Sequence, residues 1–211
     1  MSIQYRVRAE VIDIKADSPK PTDKFLVDTN VWYWMTYSPA SSPGQPYSAK
    51  AYQITSYPKY IQDTIVAGSD LYCSGLMFAE LAHRIEKAQQ QIFFPSITSS
   101  VTPKEYRHNY SSERAKVVTE VQTAWNLICS SYATQLGCQI DQTTVNAAIQ
   151  RFQTQALDGY DLFILELMQQ HSLKQVITDD GDYVTVPGIQ VFTANRNVIL
   201  AARSQGKLIV R

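Results

Sequence analysis

Short apolar runs that stop abruptly, with helical periods between them, constrain this chain most. "FLV" halts at Asp28, "LYCSG" leads into a helical stretch, "KQVIT" halts at Asp179 and Asp180, and "IQVFTA" follows the turn-like "DDGDY". Each run has the length of a buried strand. Between them, "LMFAELAHRIEKAQQ" places Leu76, Ala79, Leu81, Ala82 and Ile85 on one helical face, and the stretch from Ser111 to Gly137 spaces Val117, Val121, Trp125 and Ile128 in the same way. "DLFILELMQQHSL" is apolar around most of its circumference and is expected to be a central helix. Strands alternating with helices predict an α/β fold around a mainly parallel sheet. A half-exposed strand is expected over 5–14, where "YRVRAEVIDI" alternates polar with apolar, and a short one at "CQI". Pro58 suits a first helical turn and Gly68 its stop, "DQTTVNAAIQRFQTQA" reads as a capped helix, and "NRNVILAARSQG" as a closing one.

Four carboxylates fall at strand ends or on the helices after strands: Asp28, Glu80, Asp161 and Asp180. In open α/β sheets the carboxyl ends of the strands form the ligand crevice. Acids gathered there repel one another, and burying an ionised Asp is costly unless something pairs with it. Nothing strongly cationic lies beside the four in sequence, so a divalent metal is the natural counter-charge. Hard oxygen ligands suit Mg²⁺ or Mn²⁺. Such an ion lowers the pKa of a bound water and stabilises charge on a phosphoryl group, which is the chemistry of phosphodiester hydrolysis. Each acid alone has a plainer role: Asp28 as a helix cap, Glu80 as a solvated helix residue, Asp161 at a helix N-terminus, and "TDDGDY" as a turn. If Asp28 is a ligand, Thr29 and Asn30 are left to cap the helix that follows. Asp158, three residues before Asp161, is placed to share its helical face. Asp179 should point away from Asp180 if strand alternation persists there.

Composition narrows the classes. Lys+Arg and Asp+Glu balance at 19 each, which argues against a general basic coat for nucleic acid and leaves a local patch open. Three cysteines without a CxxC pair argue against a disulfide framework or a zinc site and fit buried thiols in a reducing cytosol. No apolar run approaches the ~20 residues of a membrane span, and the start lacks the apolar core of a signal peptide, so a soluble, cytoplasmic protein is expected. Glu80 and His83 spell E-x-x-H, but a di-iron bundle needs a second copy, and there is none. No G-x-G-x-x-G, Walker lysine loop or G-x-S-x-G occurs. Tyrosines 37, 47, 52, 57 and 60, beside Lys50 and Lys59, suit either a binding surface or half-exposed packing. Trp32, Trp34 and Trp125 suit base stacking or, at helical spacing, the core.

"FLVDTNVW", "LYCSGLMFAELAHRIEK", the stretch from "LGCQIDQ" through "DGYDLFILELMQQHSLKQVITDDGDY", and "PGIQVF" together resemble a PIN domain, especially the VapC-like toxin ribonucleases, from Phe25 to about Phe192. The resemblance implies a central parallel sheet flanked by helices and endoribonuclease activity dependent on Mg²⁺ or Mn²⁺. It makes Asp28, Glu80, Asp161 and Asp180 the catalytic, metal-binding acids, with Asp28 and Asp161 the direct ligands. Asp182 matches an auxiliary acid, Asn30 and Thr178 match supporting polar residues, and Asp158 is an extra acid. Arg84 and Lys87, on the helix of Glu80, are candidate RNA contacts, with a solvated charged face as the plain alternative. In a toxin–antitoxin pair, an antitoxin would mask the acidic cleft and the toxin would form a homodimer. The chain departs from the compact toxins by an extension at 1–24 and by insertions near 37–58 and 93–136, within a PIN-like domain over 25–211. The rivals are a PIN-fold module that binds RNA or protein without cutting, and a haloacid-dehalogenase-type phosphatase. The latter needs a D-x-D opening, and Asp28-Thr29-Asn30 lacks the second Asp.

Overall fold

A computed structural model describes residues 3–96 and 101–211. Six strands form one open, wholly parallel sheet: β1 (Glu10–Asp13), β2 (Lys24–Val27), β3 (Asp70–Ser74), β4 (Thr134–Leu136), β5 (Gln175–Ile177) and β6 (Gln190–Thr193), in the order β1-β6-β5-β2-β3-β4. Eight helices flank it: α1 (Thr29–Thr36), α2 (Ala51–Ala67), α3 (Gly75–Phe93), α4 (Pro103–Asn109), α5 (Ser111–Leu127), α6 (Gln142–Thr154), α7 (Gly159–Gln170) and α8 (Arg196–Ser204). The parallel α/β architecture follows from the alternation in the sequence. Phe25, Leu26, Val27, Val176 and Ile177 are fully buried, as befits strands covered on both faces.

The strand order fixes where a ligand crevice must lie. From β2 the chain winds outward through β3 and β4, then returns to the other side of β2 as β5 and continues to β6. The direction of winding therefore reverses between β2 and β5, where Leu26 and Val27 pair with Val176 and Ile177. The carboxyl ends of these two strands open into the switch-point crevice; Asp28 follows β2 directly, and Asp180 follows β5 after Thr178 and Asp179.

The segment before β2 joins the same sheet through β1. β1 is shorter than the expected 5–14 and lies at an edge beside β6, with Val7, Ala9, Val11, Ile12 and Ile14 all buried in the common core. Its outer side is covered, since the Val11 N–H donates to the Lys207 carbonyl at 2.9 Å and the Ile209 N–H donates to the Val11 carbonyl at 2.8 Å. That covering removes an open strand edge.

Several local expectations are corrected. α2 begins at Ala51, so Pro58 lies inside it and not in its first turn. The Gln53 side chain accepts the Lys50 N–H at 2.8 Å and starts the helix early, and Tyr57 and Tyr60 bury beside the proline. Gly68 does end it, in the left-handed region at φ +76°. The strand expected at "CQI" is instead β4, because α5 runs only to Leu127, passes through a π-helical turn at Ile128–Tyr132, and delivers Thr134–Leu136 to pair with Tyr72–Ser74. Thr134 and Gln135 are exposed at this sheet edge, which is why no apolar run announced them. On α3, Ala79 is exposed and Met77 takes its place in the core. α4 and α5 fasten to α3 through Glu86, which is buried and accepts from Arg107 at 2.8 Å and Arg114 at 2.6 Å. Tyr37, Tyr57, Tyr60, Trp32 and Trp34 are core residues, so packing accounts for most of the aromatic segment. Among the described residues no helix is long and apolar enough to cross a membrane.

Candidate active site

Asp28 occupies the N-cap position of α1 but makes no side-chain cap. Its carboxylate accepts from the Thr178 hydroxyl at 2.7 Å and the Asn30 amide at 3.2 Å. The expectation that Thr29 and Asn30 cap α1 is therefore corrected. Both lie in its first turn, Asn30 turns back to Asp28, and the buried Thr29 hydroxyl has no hydrogen-bond partner of acceptable geometry. Thr178 also accepts the Asp180 N–H at 2.9 Å, so one hydroxyl locks the ends of β2 and β5 together. The Asp182 N–H in turn donates to Asp180 at 2.8 Å. Asp161, buried in the first turn of α7, accepts from the Tyr183 hydroxyl at 2.7 Å. Asp158 caps that helix, accepting the N–H groups of Tyr160 at 2.9 Å and Asp161 at 3.1 Å. Glu80 approaches from α3, with the Arg84 guanidinium 4.0 Å away.

These acids feel one another. Burial, then the charges of Glu80 and Asp180, push Asp28 up to about 7 against the opposing bonds from Thr178 and Asn30. Burial and the Asp28 charge raise Asp161 to about 9. Burial, Asp180 and Asp158 raise Asp182 to about 6. Glu80 and Asp180 are raised chiefly by burial, with Asp158 adding to both and Arg84 partly offsetting the rise. For Glu80, the nearby Thr29 hydroxyl also opposes the rise, although its geometry falls short of a hydrogen bond. The sequence-predicted acids are thus brought into one electrostatic cluster, with Arg84 as the cation that moderates it. As placed, no three His, Cys, Asp or Glu side chains among the described residues are close enough to hold a metal ion between them.

Asp179 does diverge from Asp180. It accepts from Tyr52 at 2.8 Å, Gln53 at 2.7 Å and Tyr57 at 2.6 Å, while Asn195 donates to its carbonyl at 2.9 Å. The tyrosines of α2 therefore brace the loop that carries Asp180. The sequence suits these tyrosines to a binding surface or to half-exposed packing and does not reveal this role, which the separation of more than 120 positions hides.

Tyr5 was also missed. Its ring lies on Gly181, and a Cβ at that glycine would meet the ring at 2.2 Å. Gly181 has an ordinary φ of −76°, so a larger residue here is opposed only by the outer end of the Tyr5 ring, which would have to move aside. Gln205 holds Tyr5 in place by donating to its carbonyl at 2.8 Å and accepting the Val7 N–H at 3.0 Å. The N-terminal segment thus supplies one wall of the site. Gly181→Ala is expected to cost about 1 kcal/mol in the presence of Tyr5, the low end for overpacking because the ring end can move, and less in a Tyr5→Ala background. Urea unfolding of the four-member mutant cycle measures this, and equal costs in both backgrounds would dissociate the two residues.

A groove of about 390 Å³ opens between Tyr5, Tyr33, Tyr47, Arg84 and Asp180; of the four acids only Asp180 lines it. Lys87 is exposed further along α3 and does not line it, and His83 is likewise exposed. Two larger cavities, of about 650 and 700 Å³, lie at the amino ends of the strands beside Lys24 and between α3 and α5, away from all four acids. No known family model matches the sequence, and no curated protein matches it.

Proposed function

We propose that the protein is a PIN-like endoribonuclease that hydrolyses RNA phosphodiester bonds with Mg²⁺ or Mn²⁺. One observation carries the reading: four carboxylates from four separate elements lie near enough to the switch-point crevice for burial and neighbouring acids to raise the proton affinity of each. The donor set fits a hard divalent cation. Mg²⁺ keeps several waters and takes only one or two carboxylates together with substrate phosphates, so it does not need a closed protein cage. That suits acids which, among the described residues, do not converge in threes.

Asp28 and Asp161 are the residues to hold the ion, which would supply an activated water and charge stabilisation at phosphorus. Thr178 and Asn30 aim the Asp28 carboxylate, and Tyr183 aims that of Asp161. Glu80 and Asp180 would orient the attacking water or serve a second ion, and burial raises the proton affinity of both carboxylates. The Asp182 N–H fixes Asp180, and Asp158 fixes the turn that presents Asp161. Toxin activity, a masking antitoxin and a homodimer follow from the resemblance and belong to the same proposal.

Short RNA and p-nitrophenyl phosphate, each with Mn²⁺ and with EDTA, test the reading. Mn²⁺-dependent cleavage of RNA alone is expected. Hydrolysis of the phosphate ester without RNA cleavage would favour a phosphatase, and RNA binding without cleavage a silent module.

A further inference from the structure

Arg84 is the least satisfied charged group near the acids. Its guanidinium makes no hydrogen bond among the described residues, and its Nε is buried without a partner. The Glu80 contact, at 4.0 Å, is an ion pair without hydrogen-bond geometry. Unpaired buried donors are uncommon in folded proteins and call for an explanation. The side chain is also held in place, because the guanidinium lies 5.1 Å from the centre of the Tyr33 ring. Tyr33 itself is buried, and its hydroxyl is fixed to the Tyr47 carbonyl at 3.0 Å. The Arg84 guanidinium is therefore held against an aromatic floor at the edge of the groove, with its Nη donors making no hydrogen bond among the described residues.

A planar fork of open N–H donors matches two oxygens of a phosphate. The groove it faces is polar and of single-nucleotide scale, and its opposite walls come from Tyr5 and from the loop at Tyr47 and Ser48. Both walls belong to segments that the compact resemblance does not include, the N-terminal extension and the insertion near 37–58. We infer that Arg84 clamps a backbone phosphate of single-stranded RNA next to the bond that is cut, and that Tyr5 and Tyr47 border the adjoining nucleoside. The inference rests on the ribonuclease reading for its substrate. Arg84 positions the strand, and the acids act on the neighbouring phosphodiester.

Fluorescence anisotropy of a labelled eight-nucleotide RNA tests this in Mg²⁺, with Asp161→Asn as the parent so that the strand stays intact. Arg84→Gln should weaken binding about tenfold at low salt and lower the log–log salt slope by about 0.7, the value for one phosphate contact on a single strand. Arg84→Lys should keep the slope and recover only part of the affinity, since a point charge lacks the fork. A merely structural Arg84 would change thermal stability and leave the slope alone, which would overturn the inference. If the wild type cuts RNA while Arg84→Gln binds like its parent, the clamp is wrong and the nuclease reading stands. If binding depends on Arg84 but the wild type never cuts, the clamp stands and the nuclease reading fails. No RNA binding by the parent overturns the clamp.

Discussion

Asp28→Asn is expected to make the metal-free protein more stable while abolishing its cleavage of RNA. Asp28 is 2% exposed and accepts two hydrogen bonds, but it also faces Glu80 and Asp180. Its proton is held to about 7, against the usual carboxylate value near 4. The folded state therefore binds more protons than the unfolded state between those values, and stability must fall as pH rises through that window. Asp161, held to about 9, extends the fall to higher pH. Below about pH 4 neither group carries the penalty. Asparagine keeps an acceptor for Thr178 and removes the charge. A gain of about 2 kcal/mol at pH 7 would raise the melting temperature by roughly 5 °C for a chain of this size. The gain should vanish near pH 4. Thermal melts in EDTA at pH 4, 7 and 9 measure it, and a variant less stable than wild type at pH 7 would show that the Asp28 carboxylate is satisfied without a cation.

Arg211→Ala is expected to destabilise the fold by about 3–5 kcal/mol, the cost of leaving buried charges without their partner. The Arg211 side chain is 9% exposed and bridges Asp17 and Asp23, whose side chains are 1% and 6% exposed. It donates to Asp17 at 2.7 and 2.9 Å and to Asp23 at 2.8 and 3.0 Å, and its guanidinium packs 4.5 Å from the centre of the Phe192 ring. Tyr60 donates to the same Asp17 carboxylate. Burial alone would raise Asp23, but the bonds from Arg211, Gln175 and the Lys20 N–H outweigh it and hold the carboxyl below its usual value. That part of the stability is present above about pH 4 and is lost as acid protonates Asp23. The cluster ties the connector between β1 and β2 to the chain's last residue, across β6. Urea unfolding should show the loss, and adding Asp17→Asn and Asp23→Asn should restore part of it. A loss below about 1 kcal/mol would place the cluster with exposed ion pairs.

Local patterning made much of the fold legible. The buried runs of β2, β5 and β6 were short and largely apolar, α3 carried a helical period, and α7 was apolar around most of its circumference. β4 was hidden because a three-residue edge strand with two exposed polar residues has no apolar signature. The early start of α2 was hidden because its first turn is held by a Gln53 cap and by tyrosines that reach Asp179, contacts which no local window contains. The acids could be read because a sheet delivers strand ends to one place. Their supports could not: the Thr178 lock spans 150 positions, and Tyr5 reaches Gly181 from the opposite end of the chain. Arg84 was visible only as a charge on a helix, and its unpaired donors are a property of the fold.

Titration of Mn²⁺ into the protein by calorimetry, for the wild type, Asp28→Asn and Asp161→Asn, tests the central claim most directly. The wild type should bind saturably at pH 7 and release protons, because ligands that hold protons must lose them to coordinate. Both variants should bind at least tenfold more weakly and release fewer protons. Binding that is absent in the wild type, or equal in all three proteins, would contradict the assignment of these carboxylates as a divalent-metal site.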